Sequence, residues 1–130
     1  MTDFKNIDIL IYKKKGDIKM KAFRLFLVVA FVMELVYTII AGSNEGWNIF
    51  PLIIESITSF TWLGQFNLDF SFYLVISSLW IFWRYNLSLK GLVLACFGLV
   101  GGILFLAPFL FVISFKGNGS VKELLLGENN

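Results

Sequence analysis

Residues 67–85, NLDFSFYLVISSLWIFWRY, constrain this chain more than any other stretch. An acid, Asp69, stands near one end and Arg84 near the other. Between them the run is apolar and aromatic for a length that, as a helix, matches a bilayer's hydrocarbon core of roughly 30 Å. Composition places the run in a membrane: 58% of residues are hydrophobic and 15% charged, against about 45–50% and 25% in soluble domains. The helical phase adds a finer feature. Asp69, Tyr73, Ser77, Trp80 and Arg84 fall within about 80° of one another around the helix. That polar stripe should face protein or water, not lipid. Ser71 and Ser78 fall on the opposite side, where a hydroxyl can bond back to its own helix. A plainer reading has Asp69 capping the helix start and Arg84 snorkelling to an interface.

The other segments arrange themselves around this one. Residues 1–19 are mixed, polar and basic and read as a flexible extension; Met20 stands as an alternative start. Residues 22–41 form the first span. Its flank carries Lys13, Lys14, Lys15, Lys19, Lys21 and Arg24, the pattern of a topology determinant facing the cytoplasm and anionic headgroups rather than of nucleic-acid binding. A cleaved secretory signal is the lesser reading, because Glu34 interrupts the apolar run. Glu34 shares a face with Ala30, Thr38 and Ala41, a combination that packs inward, and an intramembrane acid is a functional candidate. Residues 42–46, GSNEG, read as a turn.

Residues 47–63 contain Pro51, Glu55, Ser56, Thr58, Ser59 and Thr61, which make a poor span. Ile49, Phe50, Ile53, Ile57 and Phe60 gather on one side, the pattern of an amphipathic helix at the interface or re-entering partway. Residues 89–113 form a last apolar run, too long for the core if straight, with Pro108 as the expected kink. Within it Gly91, Ala95, Gly98 and Gly102 make a smooth strip, and Gly98 and Gly102 are a GxxxG pair. The strip serves packing within the chain or self-association. Residues 117–130 read as a polar, mobile tail. The single cysteine, Cys96, reads as a buried small hydrophobe.

The expected fold is therefore an all-α membrane domain over residues 20–116, with three transmembrane helices and one interfacial or re-entrant helix. A four-span bundle is the alternative. With three spans, the basic N-terminus and the Arg84/Lys90 turn are both cytoplasmic, as the positive-inside rule prefers. Lys116 and Lys122 then fall outside, against that rule.

SITSF (56–60), Asp69 opening a span, Trp83 and Arg84 closing it, and GGILFLAPFLF (101–111) followed by Lys116 resemble a family of small bacterial inner-membrane proteins, a domain of unknown function. Members often carry an acid beside the arginines that close the middle span, where this chain has Tyr85 and Asn86. The resemblance covers about residues 20–116. It implies a bacterial inner-membrane location and brings no activity.

Three function classes follow. The first is an accessory or structural membrane protein that packs against itself or a partner, without catalytic chemistry, metal or cofactor. The second is a carrier or sensor of a small ligand, proton or cation, using Glu34, Glu55 and Asp69 with Tyr73, Ser77 and Trp80. The third is an intramembrane lipid enzyme using a carboxyl pair such as Glu34 and Asp69. The absence of histidine removes the usual zinc and haem ligands and His-based catalysis.

Overall fold

The computed structural model describes residues 2–116 and 120–129. Among the described residues every regular element is a helix: α1 (Thr2–Glu45), α2 (Phe50–Thr58), α3 (Trp62–Arg84), α4 (Leu89–Gly101), α5 (Ile103–Ile113), α6 (Val121–Leu126) and a 3-10 turn, Gly127–Asn129. Two of them, α1 and α3, are long and apolar enough to cross a membrane.

The α1 helix is one unbroken rod of 44 residues. The flexible extension expected at residues 1–19 is helical over its described part, and residues 3–19 are exposed. The reason is that no proline interrupts the segment, and Gly16 in mid-helix costs only about 1 kcal/mol. The helix stops at Gly46, whose φ of +92° needs no side-chain accommodation. Trp47 then folds back onto Gly42, where a β-carbon would sit 2.6 Å from the indole.

The α2 helix starts with Asn48 Oδ1 accepting from the Phe50 amide at 3.3 Å and with Pro51 in the first turn. Phe60, at φ +53°, reverses the chain. Thr61 then caps α3 by accepting from the Gly64 amide at 3.3 Å. A β-carbon on Gly64 would lie 2.1 Å from the Ser56 carbonyl oxygen, so this glycine is what lets α2 and α3 touch. The short helix expected within residues 47–63 thus forms, but α3 begins at Trp62, five residues before the expected start.

The last apolar run departs most from expectation. It divides at Gly102 into helices of 13 and 11 residues, neither of them a full span. The neighbours of α4 and α5 show the path. Gly91 lies against Tyr85, Gly98 against Ile81 and Ser78, and Gly102 against Leu74 and Phe70, so α4 runs antiparallel along α3. Beyond Gly102, Phe105 stacks on Phe97 with ring centroids 6.0 Å apart. Phe109 then comes back to Tyr85 and Trp80, at 6.3 and 6.1 Å. The pair α4–α5 is a helical hairpin. Its tip lies about 16 Å along α3 from Tyr85, roughly half a hydrocarbon core. Where a single long helix is expected at 89–113, two short antiparallel helices stand. Gly102 makes the reversal because its φ of +54° and ψ of −135° suit a residue without a β-carbon. Pro108, the expected kink, stays inside α5.

The hairpin sits between the long helices: α5 packs on α1 and α4 on α3. Leu27, only 2% exposed, leads the α1 contact. The core gathers at the lower end of α3, where Ile81, Tyr85, Ala95, Phe109, Ile113 and Leu124 are all buried. Leu124 belongs to the segment expected as a mobile tail. The sequence there, Ser120-Val121-Lys122-Glu123, has the spacing of a helix start, and Ser120 Oγ accepts from the Glu123 amide at 3.1 Å. Residues 117–119 lie outside the described residues.

Candidate functional site: the arginine end

Both arginines of the chain lie at the end of the molecule where α3 turns into α4, and both bind the carboxyl end of a short helix. Arg24, on α1, donates from Nε to Ser114 Oγ at 2.9 Å and from Nη2 to the Ser114 carbonyl oxygen at 2.7 Å. Its guanidinium lies 3.8 Å from the Phe115 ring centroid. Ser114 terminates α5, so a cation meets the negative end of that helix. Arg84 is only 6% exposed and donates from Nε to the Leu124 carbonyl oxygen at 2.8 Å. One turn earlier on α3, Trp80 Nε1 donates to the next carbonyl oxygen, Leu125, at 3.0 Å. Asn129 Nδ2 donates back to Trp83 O at 2.7 Å. Gly127 rests on the Arg84 side chain so closely that a β-carbon would stand 2.6 Å from Cγ.

Lys90 adds a third cation, with Nζ 5.2 Å from the Tyr85 ring centroid. Arg24 is met by a main-chain oxygen, a serine hydroxyl and the Phe115 ring, and Arg84 by a main-chain oxygen and the Tyr85 ring. Lys21 lies one turn from Arg24, Lys116 follows Ser114, and Lys122 is on α6. Five cations besides Lys21 therefore gather at this end, with Glu123 of α6 among them.

The opposite end is acidic. Glu45 and Glu55 line an open cleft of about 430 Å³ with Ser56, Ser59 and Asn67. Asn67 Nδ2 donates to Ser56 Oγ at 2.5 Å, and Ser59 Oγ lies 2.9 Å from Thr61 Oγ1. Glu34 and Asp69 do not line this cleft. Glu34, Glu55 and Asp69 are each exposed, and no group of three metal-capable side chains exists among the described residues.

The stripe predicted from Asp69 to Arg84 divides in two. Trp80 and Arg84 turn inward because α6 covers them, whereas Asp69 and Tyr73 are exposed. Ser77 bonds its own helix, Oγ to Leu74 O at 3.0 Å. The side opposite the stripe is a packing side: Ser78 is 8% exposed, faces Gly98, and among the described residues its buried hydroxyl has no partner. Ser71 does bond back, to Asn67 O at 2.7 Å. Gly91, Ala95 and Gly98 are buried within the chain along α3, which leaves that strip no free face. Cys96, expected buried, is exposed on the far side of α4. The Arg24–Ser114 contact was not legible in sequence, because nothing marks residues so far apart as neighbours. The α6 contacts were: SVKE followed by Leu124, Leu125, Leu126 and Gly127 carries a start, an apolar run and a stop.

No family model, curated protein or solved structure matches this chain.

Proposed function

We propose that this is an integral membrane protein with its basic end in the cytoplasm, acting as an accessory or structural protein through helix packing in the bilayer. In this reading α1 and α3 cross, α4–α5 enters and leaves from the cytoplasmic side, and α2 lies at the opposite surface. The orientation is supported by the gathering of Arg24, Arg84, Lys90, Lys116 and Lys122 at one end, which satisfies the positive-inside rule. A third span would have left two of these lysines outside. The resemblance to small bacterial inner-membrane proteins belongs to this reading.

One observation carries the packing role. Taking Leu27 as the centre of the α1 contact face, Phe31, Glu34 and Thr38 fall within about 40° of it. Leu27 and Phe31 meet α5, but Glu34 lies near the level of the hairpin tip and is exposed. A carboxyl on the inward face of a span, without a neighbour, is costly in lipid. A further transmembrane segment with a hydrogen-bond donor at that depth would relieve it.

A photo-crosslinking residue at Thr38 and, separately, at Val36 on the opposite side of α1 tests this in intact membranes. Adducts at position 38 and few at 36 are expected. Equal yields at both positions would contradict a specific partner face.

A further inference from the structure

We infer that Trp80 and Arg84 form a binding site for a phosphoryl anion at the membrane surface, and that the C-terminal segment covers this site with two of its own carbonyl oxygens. The inference rests on the membrane reading above. The two donors stand one helical turn apart on α3 and reach successive acceptors, Leu124 O at 2.8 Å and Leu125 O at 3.0 Å. The acceptors are the last carbonyls of α6, where helical dipoles sum to partial negative charge. The tail thus presents two partly negative oxygens side by side, which is what a phosphate presents with full charge. Arginine and an indole N–H bind such oxygens well at an interface.

Three features support an anion site. Arg84 is nearly buried, and its Nε is met by a main-chain carbonyl oxygen of the covering segment. Lys90 lies against the same tyrosine ring as Arg84, both cations 5.2 Å from its centroid, which adds positive potential. The cover rests on a short stretch: of the α6 side chains only Leu124 is buried, Val121 and Leu125 are 63% and 48% exposed, and beyond α6 Gly127 and Asn129 meet Arg84 and Trp83. A six-residue helix cannot hold itself together in water, so the contacts with α3 must keep it folded. A better ligand for Trp80 and Arg84 would displace it.

The source of the phosphoryl group is separated by experiment. The full chain is placed in bilayer discs of phosphatidylcholine, in discs containing one-third phosphatidylglycerol, and in phosphatidylcholine discs with inorganic phosphate added. Hydrogen exchange is followed at the Leu124, Leu125 and Leu126 amides. Acceleration of about tenfold in phosphatidylglycerol alone identifies a lipid headgroup; acceleration by inorganic phosphate identifies a soluble anion. Arg84→Gln should abolish the response. If that variant does not fold, Trp80→Phe keeps the ring, removes one donor and should weaken it. Leu124→Ala loosens the cover without touching either donor and should raise phosphatidylglycerol retention in native mass spectrometry severalfold. A chain that enters discs but whose tail exchange ignores both lipid and phosphate would overturn the site. A chain that does not enter discs would remove the membrane reading, and the site with it.

Discussion

Arg24 and Ser114, ninety positions apart in sequence, are joined through both the hydroxyl and the carbonyl of the serine, at 2.9 and 2.7 Å. This clasp ties α1 to the end of α5 and fixes the hairpin's second leg against the first long helix. Replacing Arg24 with Gln removes the charge from both bonds, and we expect a loss of about 1.5–3 kcal/mol. Ser114→Ala leaves the carbonyl contact and should cost about 1 kcal/mol or less. Chemical unfolding in mild detergent measures both. Equal losses would mean that the hydroxyl alone carries the contact.

The glycines should not respond alike to alanine. At Gly64 the new β-carbon would lie 2.1 Å from a main-chain oxygen, so α2 must leave α3. At Gly98 the nearest atom is Ile81 Cδ1 at 3.0 Å, the end of a flexible side chain. We expect Gly64→Ala to cost more than Gly98→Ala by at least about 1 kcal/mol, within the range seen for overpacking. The same unfolding measurement decides the order, and a reversed order would contradict the α2–α3 crossing.

Gly102→Ala tests the hairpin turn itself. The space around it is ordinary, with neighbours at 3.6 Å, so the cost comes from backbone conformation at φ +54°. A penalty of about 1–3 kcal/mol is expected for a β-carbon in so sparsely populated a backbone region. A neutral or stabilising effect would indicate that residues 89–113 run as one continuous helix.

Ser78→Ala should be neutral or stabilising by up to about 1–3 kcal/mol, because the hydroxyl is buried without a partner and its desolvation is uncompensated. Thermal denaturation in detergent reads the sign. A clear destabilisation would show that Ser78 Oγ does have a partner in the folded protein.

Much of this architecture can be read from the sequence, and the failures have physical causes. The long apolar runs of α1 and α3 declare themselves, and the proline, serines and threonines around residues 47–63 announce a short polar-edged helix. The glycines at 91, 98 and 102 are visible too, but two glycines look alike in a sequence when one serves close packing and the other a positive φ. Gly98 packs and Gly102 turns; reading both as one smooth strip predicts one continuous helix where two form. The polar stripe on α3 misled in a similar way. Helical phase places residues on a face but does not say which face meets protein, and here α4 covers the side bearing Ser78. Sequence cannot show whether Glu34, Glu55 and Asp69 meet, and Glu55 shares its cleft with Glu45 instead. The tail was dismissed for its polar flanks, although its helix start and stop signals were present.

In the proposed orientation the chain crosses twice, and its α3–α4 turn and its C-terminal helix lie on the same side. In a Cys96→Ser background, single cysteines at Asn48, Asn86 and Lys122 can be labelled with an impermeant thiol reagent in sealed vesicles of known orientation. The cysteines at positions 86 and 122 should label together from the cytoplasmic side, and that at position 48 only from the other. Labelling of Lys122 from the side opposite Asn86 would contradict it, because α4 and α5 would then cross the bilayer as a third span.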